Sequence, residues 1–366
     1  MKKVKIYGAG SIGNHLAHAS RQMGWAVDIC DIDPGALSRT KNQIYPDRYG
    51  SWDDDIGLYH CDDIPVGCYD LIFIGTPPDS HMLLARSAVK EGAKAVLVEK
   101  PLCTPDLNGA QELFDEARSA NCSVFVGYDH VVAKSSKRMS SALEEKTVGD
   151  VITIDVEFRE YWGGIFMAHP WLDGPSDTYL GYWEKGGGAC GEHSHAINLW
   201  QNFASDAGVG RIVEVSSCME YVRDGAVDYD SICLLQVRTE NGMIGRIVQD
   251  VVTQPTRKWA RAQCSNGYVE WYCGKKPGMD TVVCATNDGE TSTSDISKTR
   301  PDDFIQEMKH IESVLNGTLN QSPISLVKGL ETMLVVAAAH LSEQKKCPVN
   351  INYDKGYTSK ALSLVK

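Results

Sequence analysis

Apolar and polar positions alternate in two different rhythms along the chain. In the first part, four short apolar runs are separated by helix-like stretches near residues 11–23 and 81–91; the runs are VKIYG, WAVDIC, DLIFIG and AVLVE. Continuous apolar strands that alternate with helices are typical of a parallel sheet covered on both faces. We therefore predict a doubly wound α/β domain over residues 1–128, with its last strand at 123–127.

The second rhythm has a period of two. In VITIDVEFREY, the apolar positions Ile152, Ile154, Val156 and Phe158 alternate with polar ones, as in a strand with one buried face. Similar runs follow in RIVEVSSCMEYV, SICLLQVRT and MIGRIVQDVV, the last two joined through a hairpin signal at Asn241-Gly242. Two amphipathic helices are expected at 302–315 and 325–342. We predict an α+β domain over residues 129–366, with a large, mostly antiparallel sheet whose open face needs covering.

Composition and charge narrow the function classes. The 366 residues suit two domains, and 43% hydrophobic with 23% charged residues is ordinary for a globular protein. The formal net charge of −12 argues against a nucleic-acid partner or an anionic membrane surface, because both require a basic footprint.

The lack of a recognisable targeting signal and the pattern of cysteines predict a cytoplasmic protein. Met1-Lys2-Lys3 leads directly into a strand, and no apolar run approaches the roughly 18 residues of a membrane span. The 12 cysteines are dispersed and form no CxxC pair, so we expect reduced, mostly buried thiols.

A glycine motif follows the first predicted strand. In GAGSIG, Gly8 allows a tight turn, Gly10 lets backbone approach a pyrophosphate, and Gly13 lets helix and strand pack closely. Ser11 and Ile12 open the helix and present backbone N–H groups to the phosphates. This context predicts a dinucleotide-binding site.

Asp31 ends the second strand, 23 positions after Gly8, where an acidic side chain accepts hydrogen bonds from the adenosine ribose. This favours NAD, because a 2′-phosphate would meet Asp31 and Asp33. Arg39 and Lys41 lie close enough in sequence to keep NADP open as the less favoured cofactor.

Two further segments follow strands of the first domain. GTPPDSH contains Thr76, Pro77 and His81, and the triplet EKP contains Glu99 and Lys100. Ligands of a doubly wound sheet bind outside the carboxyl ends of its strands. We therefore expect both segments to border the nicotinamide half of the cofactor.

GAGSIG, GTPPDSH and EKP, in that order, resemble the Gfo/Idh/MocA family of oxidoreductases, named for glucose-fructose oxidoreductase and inositol dehydrogenase. The resemblance implies an NAD-binding Rossmann domain and a second domain whose sheet makes homodimer or homotetramer contacts. It also implies that Lys100 contacts the substrate hydroxyl beside the nicotinamide.

A glycine run, GGGACGEHSHAINLW, precedes the strongest candidates for proton transfer. We expect the glycines to form a flexible approach to a helix that begins near Cys190 and places Glu192 and His195 on one face. The imidazole can take a hydroxyl proton while the carboxylate binds a second hydroxyl. The resemblance assigns His195 as acid/base and Glu192 to the acidic position. The commonest family form has Asp four residues before His, so this sequence leaves its hydroxyl contacts in doubt.

A metal site is the alternative for the same segment. Cys190, Glu192, His193 and His195 are all possible ligands, but residues one and two apart on a helix point in different directions. We predict no metal. His193 is either a surface residue or a substrate contact.

A segment of Gly, Pro and aromatic residues, 161–185, separates the first strand of the second domain from the glycine run. Its rings suit either the apolar face of a sugar or a core or subunit interface. Further candidate substrate contacts are Asp129, His130, His169 and Tyr182.

Together these features predict an NAD-dependent dehydrogenase of a secondary alcohol on a sugar, glycoside or cyclitol. Three alternatives stay open: redox-assisted glycoside hydrolysis, a non-catalytic NAD-sensing protein and a metal-dependent enzyme.

Overall fold

The computed structural model describes residues 1–167, 169 and 171–365, and its chain forms two compact units. The first unit comprises Met1–Leu102, Gly109–Asp129 and Arg300–Gly329. The second comprises Cys103–Asn108, His130–Thr299 and Leu330–Lys366. The sequence interpretation placed residues 300–329 in the second domain, whereas they lie in the first unit.

The first unit begins with alternating strands and helices. In chain order these are β1 (Lys3–Tyr7), α1 (Ser11–Gln22), β2 (Ala26–Asp31), α2 (Pro34–Arg39), α3 (Tyr45–Tyr49), β3 (Ile56–His60), β4 (Leu71–Ile74), α4 (Pro78–Lys90), β5 (Ala95–Val98), α5 (Ala110–Ser119) and β6 (Ser123–Val126).

The six strands form a parallel sheet in the order β3-β2-β1-β4-β5-β6. Every residue of β4 and β5 is buried, which explains why their sequences are uninterrupted apolar runs. From β1 the chain adds β2 and β3 on one side of the sheet, and it then adds β4, β5 and β6 on the other side. The strand order therefore reverses between β1 and β4, which confirms the predicted doubly wound fold.

The rest of the chain adds one long run of strands and several helices. In chain order they are α6 (Asp129–Val132), α7 (Lys134–Glu144), β7 (Val151–Arg159), α8 (Gly163–Met167), α9 (Gly188–Glu192), α10 (His195–Asp206), β8 (Ile212–Arg223), β9 (Asp228–Thr239), β10 (Ile244–Asp250), β11 (Arg257–Cys264), β12 (Gly267–Lys276), β13 (Met279–Thr286), β14 (Thr291–Ser297), α11 (Arg300–Leu315), α12 (Leu326–Lys345), β15 (Val349–Ile351) and β16 (Leu362–Leu364).

The second unit contains a ten-stranded sheet in the order β14-β13-β12-β11-β7-β10-β9-β8-β15-β16. Only β7 and β10 pair in parallel within this sheet of the described chain. The predicted hairpin between β9 and β10 is present, with Gly242 at φ +84°. The mostly antiparallel α+β architecture is therefore confirmed.

The two faces of this sheet differ. Helices α7, α9 and α10 contact one face, and the alternating side chains of β9 that point toward it, such as Cys233 and Val237, are buried. On the opposite face Leu234 and Ile244 are 42% and 43% exposed. The sheet is thus open on one side of the unit, as the period of two predicted.

Helix α11 belongs to the first unit because it packs on α1. The ring of Phe304 stacks on His15 with 4.7 Å between centroids, and Lys2 forms an ion pair with Glu312 at 2.6 Å. The amphipathic pattern predicted this helix but could not identify its partner. Within the described chain no helix is both long and apolar enough to cross a membrane.

Candidate functional site

The loop between β1 and α1 has the geometry of a dinucleotide-binding turn. Gly8 has φ +100°, and a Cβ there would lie 2.8 Å from the carbonyl oxygen of Gly75. A Cβ on Gly13 would lie 1.9 Å from the Gly8 oxygen, whereas a Cβ on Gly10 would meet no atom within 4 Å. Gly8 and Gly13 are therefore required by the turn and by packing, and Gly10 leaves open space beside the backbone.

The N-terminus of α1 faces that loop. Gly10, the capping residue, has no side chain with which to accept a hydrogen bond from the first turn. The backbone N–H groups of Ser11 and Ile12 begin the helix, where the helix dipole favours negative charge. The loop and helix end fit the pyrophosphate of NAD.

Asp31 lies at the end of β2, as predicted. Its Oδ2 accepts a hydrogen bond from Ala9 N–H at 2.7 Å, and its Oδ1 accepts one from Asp33 N–H at 2.8 Å. Arg39 forms an ion pair with Asp33 at 3.1 Å. Because Arg39 pairs with Asp33, the end of β2 presents the carboxylate of Asp31 to the adenosine ribose. A carboxylate at this position fits the ribose hydroxyls of NAD better than the 2′-phosphate of NADP.

The loop after β4 is tied to the EKP segment through His81. Its Nε2 lies 2.7 Å from the Thr76 carbonyl oxygen and its Nδ1 lies 3.0 Å from the Pro101 carbonyl oxygen. The ring is fully buried, and burial lowers its pKa. The buried ring positions the two loops, and the predicted cofactor contact of His81 stays a prediction. Thr76 and the exposed Pro77 remain at the loop surface.

Glu99 and Lys100 directly follow β5. The Glu99 side chain is buried, and its Oε2 accepts a hydrogen bond from the Lys100 backbone N–H at 3.3 Å. A Cβ on Gly127 would lie 2.8 Å from the Glu99 carboxyl, so glycine there makes room for it. Burial, and next the charge of Asp129, raise the pKa of Glu99. Glu99 is thus a buried acid behind Lys100.

Glu307 on α11 is a second buried acid in this region. Its side chain has no exposed surface, and neither carboxyl oxygen has a hydrogen-bond partner among the described residues. Burial, and next the charge of Glu99, raise the pKa of Glu307 well above its ordinary value. The two carboxyls resist simultaneous ionisation, because like charges in a buried site repel each other strongly.

This pair predicts a pH dependence of stability. With a raised folded-state pKa, Glu307 keeps its proton in the folded protein while the unfolded chain releases it above about 4.5, the ordinary glutamate value. Stability is therefore lost as the pH rises from that value toward the folded-state pKa. Glu307→Gln should raise the free energy of unfolding at pH 7.5 by roughly 1 kcal/mol or more.

Thermal and urea unfolding of Glu307→Gln between pH 5 and 8.5 would test this. Glu112→Gln, at an exposed position of α5, is the matched control. Equal pH slopes for the two variants would contradict the assignment.

The segment of the glycine run forms two helices instead of one, a short α9 of 5 residues and an α10 of 12 residues. Helix α9 ends at Glu192 and α10 begins at His195, with His193 at φ −96° and ψ 23° between them. The prediction of one continuous helix was therefore wrong. Gly191 and Ser194 have low helix propensity, and the chain turns at this point.

The glycines of this turn are tightly packed. Gly188 has φ +73°, and a Cβ there would lie 2.0 Å from Asp230 Oδ1. A Cβ on Gly191 would lie 2.1 Å from the Gly186 carbonyl oxygen. The prediction of a flexible approach was wrong, because these contacts fix the turn against β9.

Asp230 and Gln249 hold the turn from the sheet side. Asp230 has no exposed surface, and its Oδ2 accepts a hydrogen bond from Cys190 N–H at 2.7 Å. Gln249 Nε2 donates to the Cys190 carbonyl oxygen at 3.2 Å. Burial raises the pKa of Asp230 to about 8. These contacts position the segment that carries Glu192.

Glu192 and His195 lie in mixed polar and aromatic surroundings within this unit. The Tyr179 hydroxyl donates to Glu192 Oε2 at 3.3 Å. The His195 ring meets the His130 ring edge to face at 4.8 Å, and it lies 6.2 Å from the nearly parallel ring of Phe158. The structure therefore brings His130, a predicted substrate contact, beside His195.

The other predicted contacts of the second unit make local interactions. His169 Nδ1 lies 2.6 Å from the Ile165 carbonyl oxygen, and its ring packs edge to face on Trp171 at 5.1 Å. The Tyr182 hydroxyl donates to the Ala226 carbonyl oxygen at 2.8 Å. These bonds order the aromatic segment, and substrate contacts by His169 and Tyr182 stay predictions.

The candidate metal ligands of the glycine run do not converge as a set. Among the described residues, Cys190, Glu192, His193 and His195 do not form a group with ligand atoms close to one another. Cys190 is fully buried and His193 is 3% exposed. Both occupy the interior of the second unit.

Part of the aromatic segment serves packing. Trp162 is 6% exposed and lies beside Phe166 and Tyr229, and Trp183 stacks on His340 at 4.5 Å. The packing interpretation finds support in Trp162, whereas packing of these rings on a sugar stays a prediction.

The sequence interpretation missed two buried acids, Glu307 and Asp230. Glu307 shares the apolar face of α11 with Phe304, Met308 and Ile311, and a carboxylate on such a face is a signal that was available. Asp230 lies at the start of an apolar strand and gave no local signal. Asp230 can hold the turn before Glu192 only because Gly188 has no side chain and lies close to its carboxyl group.

Comparisons with known proteins identify both parts of the chain. Residues 2–128 match the family model described as "Oxidoreductase family, NAD-binding Rossmann fold", and residues 136–270 match the GFO/IDH/MocA C-terminal domain. The two matches confirm the resemblance drawn from GAGSIG, GTPPDSH and EKP. A search of the curated proteins finds no match to this chain.

Several solved structures share the fold. Levoglucosan dehydrogenase in complex with NADH and levoglucosan has 16% identity over 95% of this chain and 98% of its own, with a TM-score of 0.75. An oxidoreductase from Agrobacterium radiobacter, in complex with NAD+, L-tartaric acid and magnesium, has 17% identity over the same shares and a TM-score of 0.74. The WlbA dehydrogenase from Bordetella pertussis, in complex with NADH and UDP-GlcNAcA, has 17% identity, again over 95% and 98%, and a TM-score of 0.69.

Proposed function

The chain belongs to the GFO/IDH/MocA family of oxidoreductases, with an NAD-binding Rossmann domain, and on that premise we propose that it is a dehydrogenase of a carbohydrate-like alcohol. The reaction transfers a hydride between the nicotinamide and a secondary alcohol of a sugar, glycoside or cyclitol. One observation carries the proposal. Glu192 ends α9, His195 begins α10 directly after the turn, and the Tyr179 hydroxyl donates a hydrogen bond to the Glu192 carboxylate.

The proton-transfer step is assigned to His195. When NAD is bound, its nicotinamide ring supplies the hydride acceptor or donor. His195 takes the hydroxyl proton in the oxidation direction and returns it in the reduction direction, because an imidazole changes charge near neutral pH. The aromatic rings beside His195 limit its contact with water and restrict its orientation.

Lys100 is assigned to the same substrate oxygen. Its support is the EKP triplet directly after β5, together with the family resemblance. A lysine ammonium that donates a hydrogen bond to this oxygen stabilises the negative charge that develops as the proton leaves. Glu99, held behind the lysine by burial, positions its backbone through the bond to Lys100 N–H.

Substrate class is inferred from Glu192 and its surroundings. A carboxylate accepts hydrogen bonds from sugar hydroxyls, and the Tyr179 hydroxyl fixes its orientation. Two of the structural relatives were solved with a carbohydrate or a nucleotide sugar, levoglucosan and UDP-GlcNAcA. The net charge of −12 mildly disfavours an anionic substrate.

Two other functions would use the same fold. A redox-assisted glycoside hydrolase would release sugar without net NADH, and an NAD-sensing protein would bind cofactor without turnover. The presence of both Lys100 and His195 favours a dehydrogenase over the sensor.

A screen of NAD reduction with sugars, glycosides and cyclitols tests the proposal. We expect NADH to accumulate, measured by its absorbance, with at least one neutral polyol substrate. Reduction of NADP in its place should be slower. Sugar release from a glycoside without net NADH would instead establish the hydrolase, and NADH binding without any turnover would establish the sensor.

We also propose a homodimer or homotetramer formed through the open face of the ten-stranded sheet. Its support is the exposure of Leu234 and Ile244 on that face, since apolar side chains on an uncovered sheet favour burial against a second copy. A monomeric mass in sedimentation equilibrium would refute this assembly.

A further inference from the structure

Arg48 lies against the first residue of α1. Its Nη1 donates to the Ser11 carbonyl oxygen at 2.8 Å, and its Nη2 donates to Ser11 Oγ at 2.7 Å. These bonds use two of the five N–H groups of the guanidinium, so three donors remain. Since Ser11 Oγ accepts a bond from Arg48, the Ser11 hydroxyl hydrogen can be donated to another acceptor. Arg48 thus brings a cation and several donors to the helix turn that begins the dinucleotide motif.

A second arginine lies in the same region. The Arg300 guanidinium is 5.3 Å from the centroid of the Phe304 ring, and Phe304 stacks on His15 at 4.7 Å. His15 Nδ1 is 2.6 Å from the hydroxyl of Tyr49, the residue that follows Arg48. This series of contacts connects the start of α11 to α3 across the side of α1. Burial lowers the pKa of Arg48, and the charge of Arg300 lowers it further.

Among the described residues, the two arginines lack the carboxylate partners that Arg21, Arg39 and Arg86 of the same unit have. Arg21 pairs with Asp53 and Arg86 pairs with Glu116. Within the described ranges neither Arg48 nor Arg300 forms an ion pair with a carboxylate.

Two titratable groups near the arginines, Glu99 and His15, do not offset their charge. Glu99 interacts with the charge of Arg300, but burial raises the pKa of Glu99 and favours its neutral form. Burial lowers the pKa of His15 to about 3, so His15 is neutral and adds no positive charge. The two positive charges repel each other, and a bound anion between them would offset that repulsion.

We propose that Arg48 and Arg300 form a cationic pair that binds the pyrophosphate of NAD(H) beside the first turn of α1. A guanidinium presents planar, paired donors to phosphate oxygens, and the N–H groups of the helix end add to the same attraction. The inference rests on the proposed NAD dependence and adds two residues, from outside the glycine motif, to the cofactor site. The residue at the start of α1 is Ser11, which carries no charge, so the two cations of the proposed site come from α3 and α11.

Binding measurements on Arg48→Gln and Arg300→Gln test the pair. The dissociation constant of NADH would be measured by fluorescence at low and high salt, with Arg118→Gln, an exposed arginine of α5, as the matched control. Each variant should weaken NADH binding about tenfold or more and make its salt dependence shallower. Inorganic pyrophosphate should compete with NADH in the wild type and compete less in both variants. Adenosine, which lacks phosphate, should compete equally in all proteins.

The outcomes separate this inference from the proposed function. Wild-type NADH binding, with dissociation constants and salt slopes of both variants equal to those of Arg118→Gln, would overturn the pair and leave the dehydrogenase intact. Failure of the wild type to bind NADH would overturn both. If Arg48→Gln unfolds through loss of its Ser11 contacts, Arg300→Gln carries the test, because Arg300 is exposed at the start of α11. Equal loss of adenosine and NADH binding would indicate a structural role and would overturn the pair.

Discussion

His195→Asn should lower turnover at least about a hundredfold while NADH still binds, since loss of a positioned acid/base costs that much or more. Asparagine retains hydrogen-bonding capacity but cannot carry the proton. Turnover and KM would be measured with the first substrate that the NAD-reduction screen identifies, and the NADH dissociation constant would be measured separately. His60→Asn, at a partly exposed position of the first unit, is the control and should retain wild-type turnover.

The same experiment includes Lys100→Met, which removes the ammonium and keeps most of the side-chain length. Its expected loss of turnover is also about a hundredfold, because the developing charge on the substrate oxygen loses its donor. Lys94→Met, an exposed lysine that pairs with Asp70, is the matched control. Unaltered turnover in both His195→Asn and Lys100→Met would refute the assigned chemistry. A loss confined to NADH binding would mean that these residues serve the cofactor alone.

The fold could be predicted from the sequence because its signals are local. Strands such as β4 and β5 are buried along their whole length, so their composition alone marks them, and β9 alternates because one of its faces is covered. A helix at 302–315 was predicted in the same way, and the helix observed there spans Arg300–Leu315. Its membership of the first unit was not, because the stacking of Phe304 on His15 joins positions far apart in sequence.

The proposed cofactor site could be inferred from local sequence, whereas the segment that carries Glu192 and His195 could be inferred only in part. Gly8 and Gly13 have the turn and packing roles that their spacing predicts, since each acts on its own turn, and Gly10 leaves open space beside the backbone. The break between α9 and α10 follows from contacts with β9 that no spacing rule contains. Helical spacing therefore placed Glu192 and His195 on one continuous helix, although the chain turns between them.

Gly188→Ala should destabilise the second unit by about 3 kcal/mol and impair turnover with it. The φ of +73° at Gly188 disfavours any residue with a Cβ, at roughly 1 to 2 kcal/mol. The added methyl group would also lie 2.0 Å from Asp230 Oδ1. Asp230 must then move, and its bond to Cys190 N–H weakens inside a site with no exposure to water. Because that bond positions the turn that carries Glu192, stability and activity should fall together.

The matched control for this change is Gly164→Ala. A Cβ on Gly164 would meet no atom within 4 Å, so its substitution should leave the melting temperature nearly unchanged. Calorimetry should show a decrease of roughly 6 to 12 °C for Gly188→Ala, at about 2 to 4 °C per kcal/mol for a domain of this size. Equal melting temperatures for the two variants would mean that the turn can relax around a side chain. In that case Asp230 would not fix the position of Glu192, and the tight packing of the glycine run would have no part in orienting the catalytic segment.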